Sequence, residues 1–155
     1  MSERKGKRKK SSDPQVEDFY RIGKEIQNRS GSTIGADATE DRRFREYFGV
    51  SVIVALLAWD LMLQHGLMPE GGMIIHFLWA LHFMKAYPKQ DAGSAAAGGS
   101  SGAIDVKTWK KWLWPFVHSI SLLEQHVVRH GCLVVIAILF RHLTMLLIIL
   151  LCRVD

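Results

Sequence analysis

Between Cys132 and Cys152 the chain reads CLVVIAILFRHLTMLLIILLC, an apolar run of 21 residues with Arg141 and His142 near its centre. A helix of that length measures about 30 Å, the thickness of a bilayer's hydrocarbon core. Such a segment must cross a membrane or find an apolar surface to lie on. Its 14 Leu, Ile, Val and Phe residues favour insertion by roughly −4 to −8 kcal/mol in sum, whereas Arg141 opposes it by about +2.5 to +3.5 kcal/mol and His142 adds to that. Two readings stay open. One is a tail-anchored membrane segment carried by Cys132, Leu133, Ile136, Phe140, Leu143, Leu147, Leu151 and Cys152. The other is a helix buried on the rest of the fold, with Arg141 at an edge.

The remaining apolar residues are unevenly placed. Residues 1–43 are polar and poor in large side chains, whereas residues 44–87 and 104–152 are rich in Leu, Ile, Trp and Phe. Charge is just as uneven. The first ten residues, MSERKGKRKK, hold six Lys/Arg and one Glu, which equals the whole chain's formal +5. Lys7, Arg8, Lys9 and Lys10 form a basic tetrad suited to a polyanion or an import receptor, and equally to a solubilising tail. No apolar stretch follows that charged start, so it does not read as a signal peptide. Cys132 and Cys152 lack zinc-site partners and do not suggest a disulfide framework, and the context reads as intracellular.

Periodicity predicts an all-α protein, a small helical bundle. Residues 1–43 are expected to be a basic, largely disordered arm, in which DFYRIGKEIQNR turns once or twice as a helix through Phe19, Ile22 and Ile26. DRRFREYFG leads in with Phe44, Tyr47 and Phe48 turned inward. Ser51 caps a helix over Val52–His65 that ends at Gly66, with Leu56, Trp59 and Leu63 on one face. A second helix, Met73–Tyr87, is apolar on nearly all sides, as buried helices are, and stops at Pro88. Residues 88–103, rich in Gly, Ala and Ser, read as a flexible loop. Asp105 then caps a helix over residues 106–128, kinked near Pro115, with Trp109, Trp112 and Leu113 or Phe116 turned inward and Ile104 stapled to Trp109. Residues 129–155 form the apolar C-terminal segment.

Chemistry is sparse along this frame. His126 and His130 stand four apart, but Val127 occupies the place where the metalloprotease pattern needs Glu. After residue 60 the acids are Glu70, Asp91, Asp105, Glu124 and Asp155, which do not form a paired-carboxylate set. The Gly-rich stretch lacks the Lys-Ser/Thr of a phosphate loop, since Gly102 is followed by Ala103-Ile104-Asp105. No cofactor, metal site or small-molecule substrate is expected, and the chain does not read as an enzyme. The feature that remains is Lys107, Lys110 and Lys111 at the start of one helix, interleaved with tryptophans. Lysines so placed can neutralise nucleic-acid phosphates, or can simply form a solvated face.

The order of several short motifs adds to this. Phe44-Arg45 with Phe48-Gly49, Trp59, the block His76–Leu81 with Lys85, and Asp105 with Lys107-Thr108 and Lys111-Trp112 resemble the N-terminal region of DDE-type transposase-like proteins. The group is the PIF/Harbinger-like one, abundant in algal and other protist genomes. The resemblance covers residues 44–128. It implies a helix-turn-helix-like region ahead of a nuclease domain in which three carboxylates hold metal ions. It also implies that the Asp105–Trp112 helix reads DNA, and that the protein is nuclear. After Glu124–Val128 the chain departs from that pattern into Arg129-His130-Gly131 and the apolar run. The expectation is a non-catalytic, truncated transposase-derived protein that binds DNA through Lys107, Lys110 and Lys111, helped by Lys7–Lys10. The alternative is a small single-pass protein of an intracellular membrane with a cytosolic helical region.

Overall fold

In the computed structural model, residues 14–28 and 38–129 are described, with side chains described as far as residue 123. Among them there are six α-helices and no strand: α1 Val16–Ile26, α2 Ala38–Phe48, α3 Val52–Gln64, α4 Ile74–Ala86, α5 Gln90–Gly98 and α6 Val106–Arg129. A short 3-10 turn, Gly99–Ser101, follows α5. The fold is an all-α bundle, as the periodicity predicts.

Helix α4 is its axis, packed against α1, α2 and α6. Seven of its residues are buried, from His76 through Leu81 and Met84, which is why its sequence is apolar on all sides. Four aromatic rings from four helices meet beside it. Phe19 of α1, Trp59 of α3 and Phe77 of α4 lie edge-on to one another at 5.7–6.3 Å. Phe116 of α6 closes the group, 6.2 Å from Trp59 and 6.0 Å from Phe77. Offset and edge-to-face rings of this kind add to the free energy of area burial.

The links between helices follow local chemistry. Gly49 takes φ +85° after α2, which lets its N–H donate to the Arg45 carbonyl at 2.8 Å. The Asp41 carboxylate accepts from the Val52 N–H at 3.0 Å and is held by Arg45 at 2.9 Å. Ser51 Oγ accepts from the Val54 N–H at 3.4 Å, so the first turn of α3 is satisfied twice. At the far end Gly66 has φ +64°, and the Leu67 N–H reaches back to the Met62 carbonyl at 2.9 Å. The predicted cap residues Ser51 and Gly66 thus stand where expected. Asp105 accepts from the Thr108 N–H at 3.0 Å, as expected of an N-cap, and α6 then runs through the exposed Pro115 to Arg129.

Three expectations need correction. Residues 16–26 are not part of a disordered arm: the short helix expected there is α1, a full element with Phe19, Tyr20 and Ile26 in the core. Its Lys24 is buried against Glu40 of α2 at 3.4 Å, and Arg43 reaches the same carboxylate at 3.0 Å. Residues 88–103 are not a plain loop, because α5 occupies most of them. The small side chains there permit close approach: a Cβ on Gly93 would lie 2.6 Å from the Trp109 indole, and Gly99 (φ +52°) lies against the Glu25 carbonyl. The Trp79 Nε1–H donates to the Ala97 carbonyl at 3.1 Å, and the Ile104 N–H donates to Ser94, which fasten α5 down. Finally, the inner face of α3 is Val52, Ala55, Ala58, Trp59 and Met62. Leu63, expected on one face with Leu56 and Trp59, is exposed whereas Trp59 is buried.

Candidate nucleic-acid interface

Helix α6 is strongly two-sided. Trp109, Leu113, Phe116, Val117, Ile120 and Leu123 are buried, at the three- and four-residue spacing of a single face. Opposite them Lys107, Thr108, Lys111, Trp114, Pro115 and His118 are exposed, with Lys110 half-buried at the margin. No acid lies among these residues, and Asp105 sits at their base as the cap. Of the three predicted lysines, Lys107 and Lys111 therefore lie on the outer side of the first two turns, beside the exposed ring of Trp114, with Lys110 at its edge. The Lys111 ammonium lies 5.3 Å from the centre of the Trp112 ring, within range of its π face.

Trp112 connects this face to the core. Its ring stacks on His76 of α4, centroids 4.2 Å apart and planes 9° from parallel. His76 Nδ1 accepts from the Met73 N–H at 3.3 Å, which closes the first turn of α4. Burial lowers the His76 pKa to about 4, so the ring is neutral at physiological pH. A second histidine behaves alike. His82 stacks on Tyr47 at 4.3 Å and contacts the Tyr47 carbonyl through Nδ1 at 3.2 Å. Burial lowers its pKa, and the carbonyl contact opposes that in part. Both rings serve packing at neutral pH.

Other predicted positions fall elsewhere. Lys7, Arg8, Lys9 and Lys10 lie outside the described residues, as do His130 and the whole of 132–152. Among the described residues, no group of three His, Cys, Asp or Glu side chains could hold a metal ion. No single described helix is long and apolar enough to cross a membrane; α2 and α3 together reach the length and composition but bend by 60° at their junction.

A second surface was not anticipated. Ile22 and Glu25 of α1, Trp59 of α3 and Met73, Ile74 and Ile75 at the start of α4 line an open apolar groove of about 440 Å³. Trp59 Nε1 is buried with no hydrogen-bond partner among the described residues. Nothing local in the sequence marks this groove, because its walls come from three helices separated along the chain. No family model, no curated protein and no solved structure matches the chain.

Proposed function

We propose that this protein is a non-catalytic, transposase-derived helical protein that contacts DNA through the outer face of α6. The observation that carries the reading is the side of α6 described above, with Lys107, Lys111 and Trp114 exposed, Lys110 at the margin and no acid between them. A helix anchored by Trp109, Leu113 and Phe116 can press such a face onto a phosphate backbone without reorganising itself. Its N-terminal end also carries the positive pole of the helix dipole. The basic tetrad Lys7–Lys10 adds sequence-independent attraction for the same polyanion. The residues behind the transposase resemblance act largely in packing here. Phe44, Phe48 and Trp59 are core residues, and Gly49 lies 3.3 Å from the Lys85 stem, measured from a Cβ built upon it. The resemblance thus speaks for a shared helical scaffold, with α6 as the reading helix of a helix-turn-helix-like arrangement and the nucleus as the place of action.

The test is a gel-retardation series on duplex DNA at increasing salt. Replacing Lys107, Lys110 and Lys111 by Gln lowers the slope of log K against log salt by about 2 to 3, close to 0.9 for each lost phosphate contact. Absence of binding at low salt removes the reading. The competing reading, a single-pass membrane protein, rests on residues 132–152. It requires the full chain to stay in the membrane pellet after a carbonate wash.

A further inference from the structure

Of the large apolar side chains left exposed among the described residues, Ile53, Leu57, Leu63 and Met73 carry no ring, and one is aromatic: Trp114, 37% exposed. Its neighbours one and two turns back on α6 are cations. Lys111 and Lys110 precede it by three and four positions and Lys107 by seven, the spacings that bring side chains together on one side of a helix. The geometry points to an unpaired DNA strand as the partner of this face, with a base stacked on the Trp114 ring and the three lysines along the strand's phosphates. The inference rests on the proposed DNA contact through α6 and names the form of DNA that the face takes.

The ring is exposed yet held in place. Trp114 packs edge-to-face against Phe83 of α4 at 5.5 Å, and Phe83 in turn meets Tyr87 at 6.0 Å and the buried Trp109 at 5.9 Å. A ring fixed by such neighbours loses little freedom when a base is laid on it. The cations are placed as well. The Lys111 ammonium lies 5.3 Å from the centre of the Trp112 ring, which holds it beside the helix. From Lys107 to His118 the helix carries no acid, so nothing on this side of it repels a phosphate.

The side chains present favour an unpaired strand over a duplex. In a duplex the base faces are covered by their neighbours, and sequence is read at the base edges, chiefly by Arg, Asn, Gln and Lys. Between Val106 and His118 there is no Arg, Asn or Gln. Lysine suits a phosphate and an indole suits a base face, the combination by which single strands are held. Dimensions agree. Along the axis of α6, Lys111, Lys110 and Lys107 stand about 4.5, 6 and 10 Å from Trp114. A stacked strand advances about 3.4 Å per phosphate, so about three nucleotides span the face.

The experiment follows the anisotropy of dye-labelled oligo(dT), and of a labelled hairpin duplex with the same number of nucleotides, as the full chain is added. It is run at low salt and again at about 0.2 M, where phosphate attraction is weakened. At the higher salt the single strand binds about tenfold tighter than the duplex. Trp114→Ala weakens single-strand binding about tenfold and leaves the duplex affinity and both salt slopes unchanged, whereas Trp114→Phe keeps most of the single-strand affinity. Equal affinity for the two forms, or a preference for the duplex, overturns the inference and leaves DNA contact standing; that comparison uses the unmodified chain and needs no variant to fold. A single-strand affinity untouched by Trp114→Ala, or a loss that falls equally on both forms, has the same consequence. Binding of neither form at low salt removes the DNA contact and this inference together.

Discussion

A Cβ placed on Gly93 would stand 2.6 Å from two atoms of the Trp109 indole, so α5 rests on α6 through a position where only hydrogen fits. Real side chains do not approach so closely. The contact explains why a helix forms from a sequence as unpromising as QDAGSAAAG.

Gly93→Ala should therefore destabilise the fold, although alanine is the better helix former. Propensity favours the change by about 1 kcal/mol, whereas overpacking against a buried indole costs about 1–3 kcal/mol. Urea unfolding should show a lower midpoint. The control, Ala95→Gly at an exposed position of α5, loses only the propensity difference of about 1 kcal/mol. A midpoint raised by Gly93→Ala would contradict the packing.

The Trp79–Ala97 hydrogen bond ties α5 to α4. Trp79→Phe removes that donor, strands a carbonyl and leaves a smaller ring, at a cost of about 1–3 kcal/mol. Amide exchange should quicken first in residues 90–101, ahead of α4 and α6. Uniform acceleration across the bundle would mean that the bond does not fasten α5 in particular.

Glu40 sits buried between Lys24 of α1 and Arg43 of α2. Glu40→Ala leaves the Lys24 ammonium buried without its counter-charge, which should cost about 3–5 kcal/mol. Lys24→Met with Glu40→Met fills similar volume with apolar groups and should recover most of that loss. Chemical denaturation of Lys24→Met, Glu40→Met and the double variant measures the coupling. Additive losses would show that the pair does not act as a unit.

His76 makes stability depend on pH. Burial holds its folded pKa at about 4, below the ordinary imidazole value of 6.5. Between those values the unfolded chain binds the proton and the folded chain does not, so stability falls as pH drops from 6.5 towards 4. Above 6.5 the contribution is fully present. Carboxylates enter at the acid end, so the informative quantity is the difference from His76→Asn, whose unfolding midpoint should vary less across that window. His82, shifted in the same direction, contributes a similar dependence that remains in the His76 variant. An unchanged pH profile on replacing His76 would show that folding does not lower the pKa of its ring.

Much of the bundle is readable from single residues. Ser51, Gly66 and Asp105 announce helix ends because capping chemistry is local: a side-chain acceptor for orphan amides, or a glycine for a positive φ. The all-round apolar pattern of α4 announces burial because no polar face remains to meet water. The two-sided α6 places Lys107 and Lys111 outside, Lys110 at the margin, and Trp109 and Phe116 inside by helical spacing alone.

The rest depended on partners distant in the chain. In α1, the residues around Phe19 look too short and too polar to fold, and they do so because Trp59 and Phe77 receive that ring while Glu40 receives Lys24. The glycines and alanines of 88–103 read as a loop, since composition records their freedom but not the indole and carbonyls that need their smallness. In α3, leucines fall on every side, and periodicity cannot rank them; contact with α1 and α6 decides that Trp59 and Met62 turn in and Leu57 and Leu63 turn out. By itself the sequence determined helix type, helix ends and the two faces of α6, all consequences of chemistry within a few residues. Only the tertiary structure decided which polar segments join the core and which apolar face is left uncovered, because both depend on the free energy of surfaces meeting across the fold.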